Sequence, residues 1–366
     1  MNKKTFIIAV LFVTLSIGCT GCQKETTDAT NKTIEEADCN TFEEKDIAPT
    51  KDGYYLALDG ILNFYDKDKN TMFPVCNKPD CTHELNQNCN ADIVDLEDDM
   101  IQMSQNNLYI IGADVRNESD VNDISLYQFS PDATQRIKLY SLGGVQGVWN
   151  LQYTIYKGYI YYAFVNPDEE SKTGVTLARR KLEKGAEEEI LYQEKGYGIS
   201  FYSFKAYDNS IYFDMSGFKK TNGRNAFSAL KMYDISNGKT KTVWENGDGY
   251  YEKLGDNIYR FDYSSGQLVC FSEKQEKITP VIKVADISDC DLRTDGVYLY
   301  LFNFEKNELT IIDTNGKKIA ELKDMPSELK GADQNILLFV NKENKYEIYD
   351  RNEALKGKRK KIWSKE

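Results

Sequence analysis

The sequence predicts an all-β protein, a seven-bladed β-propeller with four-stranded blades, that follows an N-terminal export signal and a flexible tether. Two short phrases repeat along the chain, copies of the first phrase recur every 39 to 54 residues, and an apolar N-terminus ends in cysteines. We therefore divide the chain into a signal at 1–22, a disordered tether at 23–42 and a propeller at 43–366 that carries a Cys/His insertion at 76–99.

The first phrase is a polar or Gly residue followed by two apolar or aromatic residues. Its seven copies begin at Asp52, Asn106, Lys157, Asn209, Asp256, Asp295 and Gln334. The Asp, Asn and Gly residues suit hairpin turns because they tolerate positive φ. The Tyr, Ile and Val residues that follow favour half-buried strands. Each copy therefore predicts a turn that leads into a strand.

The second phrase places an apolar residue three positions before an aromatic residue or Ile, usually followed by Asp or Ser. Its copies span 62–66, 126–130, 230–234, 268–272, 309–313 and 346–350, and the third unit is degenerate around Leu177. A fourth strand such as Lys241–Trp244 completes each unit. Four strands in about 46 residues are typical of a propeller blade. Two stacked sandwiches would not require the same phrases in the same order, and six or eight blades are the alternatives to seven.

The N-terminus predicts export. Lys3 and Lys4 precede an apolar run, Thr5 to Ile17, that is too short for a permanent membrane span. The run leads to two cysteines, each preceded by a glycine, which resembles a bacterial lipoprotein signal. This resemblance implies acylation of Cys22, with Cys19 as the alternative, and an unmodified cleaved signal peptide is the other interpretation.

The polar segment after Cys22 has too little apolar surface to fold. About twenty flexible residues reach about 25 Å, so the tether would hold a folded body just above the lipid. We expect a monomer at the extracytoplasmic face of the cell membrane, attached to the membrane by its lipid anchor.

The charge of the chain disfavours nucleic-acid binding. The net charge is −12 and the isoelectric point is about 4.9, whereas nucleic-acid binding needs clustered Lys and Arg. One basic run at 356–361 could touch anionic lipid, although a solvated turn and strand end is the simpler interpretation.

The only histidine, His83, lies among three of the eight cysteines in the pattern Cys76-x4-Cys81-x-His83-x5-Cys89. Four N and S ligands fit a tetrahedral zinc site, and an extended Cys-x-His segment can direct both ligands to one side. A disulfide among the three cysteines is equally compatible with an exported protein. Simple packing is the third interpretation.

The segment Pro74 to His83, with a further cysteine a few residues on, resembles a phrase in lipid-anchored β-propeller lipoproteins of Gram-positive gut bacteria. Their propeller is similar to that of low-density-lipoprotein-receptor-related proteins. The resemblance implies the cell-surface location and the fold. It supplies no substrate.

We predict a non-catalytic binding or scaffold module for a glycan, a peptide or a partner protein, with no catalytic residue. Histidine-based triads need a histidine base, and the single histidine lies among the cysteines. The alternative is an extracytoplasmic hydrolase or lyase that uses Asp or Glu at the channel mouth. However, Asp66, Asp234, Asp313 and Asp350 recur at one repeat position, which predicts a structural role in turns.

Overall fold

The computed structural model describes residues 47–84, 89–93, 100–113, 124–142, 151–167, 173–219, 226–245 and 251–364. The predicted signal and tether lie outside the described residues, as do Cys19, Cys22 and Cys39. No helix in the described ranges has the length and apolar character needed to cross a bilayer.

The described chain folds almost entirely into short β-strands, as the repeats predict. The strands of the N-terminal half are β1 (Ile47–Pro49), β2 (Gly53–Leu58), β3 (Ile61–Asp66), β4 (Thr71–Pro74), β5 (Met100–Ser104), β6 (Asn107–Ala113), β7 (Ile124–Phe129), β8 (Arg136–Ser141), β9 (Leu151–Tyr156), β10 (Tyr159–Pro167), β11 (Thr173–Lys181) and β12 (Glu189–Tyr207).

The remaining strands are β13 (Ser210–Phe218), β14 (Ala226–Asp234), β15 (Lys239–Glu245), β16 (Tyr251–Leu254), β17 (Asn257–Asp262), β18 (Gln267–Ser272), β19 (Lys277–Lys283), β20 (Cys290–Thr294), β21 (Leu299–Asn303), β22 (Glu308–Ile312), β23 (Lys318–Leu322), β24 (Glu328–Ala332), β25 (Ile336–Val340), β26 (Tyr346–Asp350) and β27 (Lys361–Ser364). A 3-10 turn at Ile287–Asp289 and the short helix α1 at Arg351–Ala354 complete the described elements.

The strands form antiparallel sheets in chain order. Five sheets have four strands each, namely β1–β4, β5–β8, β16–β19, β20–β23 and β24–β27, and the sixth has seven strands, β9–β15. The described residues thus form six sheets and not the seven separate ones that the repeat count predicts. The all-β class and the four-stranded unit are confirmed.

The long strand β12 accounts for the seven-stranded sheet. Its first part pairs with β11 through Gly196, and its second part pairs with β13 from Tyr197 onward. A Cβ atom on Gly196 would lie 2.7 Å from the end of the Ile199 side chain and 3.2 Å from the Phe218 carbonyl oxygen, so glycine suits the close packing at this join. The predicted third and fourth units are therefore joined by continuous strand instead of a loop.

The recurring aspartates have the structural role that the repeats predict. The side chain of Asp66 accepts hydrogen bonds from the backbone amides of the residues two and three positions on, and Asp350 does the same at the start of α1. Asp313 likewise accepts from Asn315 and Lys317. These are Asx turns, which fix the chain direction between the third and fourth strands.

The apolar core lies between neighbouring sheets. The first strands of successive sheets contact one another in order from β1 through β5 to β9, and again from β16 through β20 to β24. One buried cluster joins Tyr54 and Leu56 of the first sheet to Ile336 and Ile348 of the last sheet. The last sheet therefore packs directly against the first, with no exchange of strands between them in the described residues.

Tyrosine hydroxyl groups join neighbouring sets of four strands. Each hydroxyl donates to a carbonyl or carboxylate of the neighbouring set, through the pairs Tyr55 with Pro131, Tyr140 with Lys181, Tyr156 with Asp208, Tyr212 with Glu273, Tyr259 with Thr314 and Tyr54 with Asp333. At a further junction Arg351 donates to the Tyr300 hydroxyl. Much of the tyrosine content thus serves packing between sheets.

Candidate metal centre

The structure brings together the four residues that the sequence selects as a metal site. One ligand atom from each of Cys76, Cys81, His83 and Cys89 lies within 4.8 Å of every other. The Cys89 sulfur lies 3.6 Å from Nδ1 of His83. Ligands around a tetrahedral zinc ion lie about 3.5 to 3.8 Å apart, given metal bonds of about 2.0 to 2.3 Å. The four residues could therefore hold a metal ion such as zinc after shifts of about 1 Å.

Two tight turns converge to build this cluster. The amide of Cys81 donates to the Lys78 carbonyl at 3.3 Å, which closes the turn around Pro79 as the sequence predicts. The Asn90 side chain donates to the Asn77 side chain at 2.8 Å and links the two halves of the cluster. Neither asparagine was selected from the sequence, since Asn is common in any turn.

The backbone of His83 differs from the extended conformation that the Cys-x-His spacing predicts. Its φ is 58°, in the left-handed region. This conformation costs a residue with a side chain about 1 to 2 kcal/mol, so surrounding contacts must compensate. The turn directs the imidazole toward the Cys89 sulfur, an arrangement that spacing alone does not predict.

The cluster is attached to the edge of the first sheet. The Leu62 amide donates to the Ala91 carbonyl and the Ile93 amide donates to the Gly60 carbonyl, each at 2.8 Å. Cys89 is only 4% exposed, within the apolar cluster between the first two sheets that also includes Ile101. The described part of the insertion therefore seals this junction, beside the turn that joins β2 to β3.

The surroundings of the cluster shift the pKa values of Cys76 and Cys89 in opposite directions. Burial opposes ionisation of Cys76, but hydrogen bonds from the amides of Lys78 and Asn90 and from the neighbouring thiols hold the pKa of Cys76 below its usual value. Burial raises the pKa of the Cys89 thiol to about 11. Neighbouring thiols are expected to ionise in separate steps, and a bound cation would deprotonate the whole set.

The disulfide alternative is not what the structure shows for its described cysteines. Cys76, Cys81 and Cys89 are free thiols, and none is at disulfide distance from another. Cys270 and Cys290, whose pairing between neighbouring units the sequence also allows, are free and buried. Within the described ranges the cysteines of the Cys/His cluster are therefore not crosslinked and could serve as metal ligands.

The donor set limits what a bound metal could do. Three sulfurs and one imidazole nitrogen complete four-coordinate geometry, whereas a catalytic zinc site keeps one position for water or substrate. A filled shell at the junction of two sheets is typical of a structural metal. The centre would stabilise the fold by binding only the folded chain.

Two acidic residues on the first strands of their sheets form ion pairs with lysines. The Glu252 carboxylate lies 2.9 Å from the Lys205 ammonium, with both side chains less than 10% exposed, and Glu328 pairs with Lys330. None of these residues is predictable from the sequence as part of a site, because isolated Lys and Glu residues carry no positional signal. The Lys205 ammonium also donates to the Tyr251 carbonyl and so links β12 to β16.

The basic run near the C-terminus lies against acids of α1 and of the last sheet. The Lys356 ammonium contacts Glu353, Lys360 contacts Asp350, and Lys361 contacts Glu347. This arrangement matches the solvated turn and strand end that the sequence allows.

Comparison with known proteins supports the fold. No protein-family model and no curated protein matches the chain. The β-propeller domain of the Trilobed protease from Pyrococcus furiosus, described as having an open velcro topology, is 13% identical over 87% of this chain and 96% of its own, with a TM-score of 0.51.

Two further solved structures are similar. A chain of the complex of KlAtg21 with the coiled-coil of AgAtg16 is 11% identical over 87% of this chain and 98% of its own, with a TM-score of 0.52. The acylaminoacyl peptidase of Pyrococcus horikoshii is 12% identical over 85% of this chain and 53% of its own, with a TM-score of 0.51. At these identities the likeness shows the fold alone, and the described chain is a β-propeller.

Proposed function

We propose that the chain is a lipid-anchored, extracytoplasmic propeller of seven blades that binds a glycan, a peptide or a partner protein without catalysis. Zinc held by Cys76, Cys81, His83 and Cys89 would brace its first two blades. The observation that carries the metal part of the proposal is the convergence of these four residues at the junction of the first two sheets.

The packing supports the count of seven blades. Strand β12 pairs with both of its neighbours, so β9–β12 and β12–β15 are each a set of four strands. Seven buried apolar clusters lie between successive sets in the described residues, and one of them joins the last set to the first. A closed ring of seven blades has seven such junctions.

The zinc assignment is tested by the metal content of the full chain. The chain is purified in detergent under reducing conditions, and zinc is measured by mass spectrometry. We expect one zinc per chain, loss of most of it in Cys89→Ser, and full content in the matched control Cys270→Ser. A zinc-free chain with all thiols reactive would overturn the metal assignment.

The anchor is tested by detergent phase partitioning of cells that produce the chain. We expect the chain in the detergent phase and Cys22→Ser in the aqueous phase, while Cys19→Ser behaves as the unmodified chain. The reverse pattern would assign the lipid to Cys19. No effect of either substitution would refute the lipid anchor.

Binding without catalysis is tested by incubating the chain with cell-wall and plant oligosaccharides and with a peptide library. Calorimetry measures binding, and released reducing ends or new amino groups measure turnover. We expect saturable binding of at least one class with no product. Product formation that scales with the protein would instead support a hydrolase or lyase.

A further inference from the structure

The three sulfurs of the metal centre differ in their access to solvent. Cys89 is buried in the apolar junction, whereas Cys76 and Cys81, here called the outer pair, are half-buried and pack against the edge of the same apolar cluster. The ligand atoms of these two cysteines lie within 4.8 Å of each other. Both residues are more exposed to solvent than Cys89.

We propose that the centre is redox-responsive, so that a disulfide oxidant links Cys76 to Cys81 and releases the metal. This rests on the zinc centre proposed above. The two sulfurs lie within 4.8 Å of each other, whereas sulfurs in a disulfide lie about 2.05 Å apart, so the short loop must close by less than 3 Å. A small change in the conformation of the loop between Cys76 and Cys81 would bring the two sulfurs this close.

The chemistry balances with a low-molecular-weight disulfide as oxidant. One thiolate of the pair attacks a sulfur of the oxidant, forms a mixed disulfide and displaces one reduced thiolate. The other thiolate attacks the protein sulfur of that mixed disulfide, forms the Cys76–Cys81 bond and displaces the second reduced thiolate. The two electrons that the oxidant gains come from the two protein sulfurs. The metal keeps only two protein ligands and passes to solvent.

The buried side of the centre explains why the crosslink forms on the outer pair. A mixed disulfide at Cys89 would have to fit inside the junction that Cys89, Ala91 and Ile93 fill. The hydrogen bonds of Ala91 and Ile93 to the first sheet do not depend on Cys76 or Cys81. Oxidation would thus free the outer turn while the inner part of the insertion stays attached.

The experiment uses the zinc-loaded full chain in detergent, treated with oxidised glutathione. Released zinc is followed with a chromogenic chelator, reduced glutathione is counted, and linked peptides are mapped by mass spectrometry after alkylation. We expect one zinc released and two reduced glutathione molecules formed per chain, with the link between Cys76 and Cys81. Reduction should restore zinc binding, and Cys270→Ser should behave as the unmodified chain.

The possible outcomes distinguish a failure of the zinc assignment from a failure of the redox proposal. If the reduced chain holds no zinc, the metal assignment itself fails. If the chain holds zinc but keeps it in excess oxidant, or if the link involves Cys89, the redox proposal is refuted while the zinc centre stands. Release of zinc with glutathione left on a single cysteine would also refute it, since no intrachain bond would then form.

Discussion

Replacing Asp295 with asparagine tests the most buried ion pair of the last two sheets. Its side chain is fully buried, and the Arg351 side chain that contacts it is only 10% exposed. One carboxylate oxygen accepts the amides of Val297 and Tyr298, and the other accepts from Arg351 and the Tyr300 hydroxyl. The Asp295 carboxylate thus forms hydrogen bonds with the backbone of its own turn, with a tyrosine of its own sheet and with an arginine that follows β26 of the next sheet.

The substitution keeps the size of the side chain and one acceptor oxygen, so the amide hydrogen bonds of the turn can persist. It removes the negative charge that compensates Arg351, and breaking a buried ion pair from one side costs about 3 to 5 kcal/mol. We expect the lower end, about 3 kcal/mol, since the arginine also contacts the Tyr300 hydroxyl and the Tyr298 ring.

The measurement is urea unfolding of the full chain followed by tyrosine and tryptophan fluorescence. The matched control is Asp262→Asn, because Asp262 forms the same kind of turn with Ser264 and Ser265 but no ion pair in the described structure. We expect the control to cost less than about 1 kcal/mol. Equal losses in both variants would show that the turn, and not the buried charge, sets the cost.

Three further predictions follow from the packing and the turns. Tyr54→Phe removes the donor to Asp333 at the junction of the first and last sheets, and we expect a loss of about 1 to 3 kcal/mol in urea unfolding. Gly53→Ala places a methyl group 1.9 Å from the Tyr65 carbonyl oxygen, so we expect a loss of at least about 2 kcal/mol and a lower melting temperature. Burial opposes ionisation of Asp350, but backbone amides and a lysine lower its pKa below the usual value. The stability from this charge is therefore complete above about pH 4 and is lost as the pH falls through the folded-state pKa. Asp350→Asn should cost about 1 kcal/mol at pH 7 and progressively less as the pH falls, and a cost that does not fall in acid would refute an ionic origin.

Most of the strand pattern could be predicted from the sequence because each unit carries its own turn chemistry. The copy that begins at Asp52 leads into β2, and the copy that begins at Asp256 leads into β17. The join at β12 could not be predicted, because a glycine between two strands favours a turn as readily as a close passage. In the folded sheet Gly196 packs closely against Ile199 and Phe218, and these contacts are not local in the sequence pattern.

At the candidate site, too, the residue types and their spacing are evident from the sequence, whereas the contacts that depend on folding are not. The types and spacing of the three cysteines and His83 are local, and they suffice to select the ligands. Whether the cysteines form a crosslink or a metal shell depends on where the buried Cys89 is anchored, and its neighbours Ala91 and Ile93 are held by a strand about thirty residues earlier. That attachment places Cys89 inside the junction, while Cys76 and Cys81 are half-buried against its edge. On a loop without this attachment, the same cysteine spacing would not bury one cysteine more deeply than the other two.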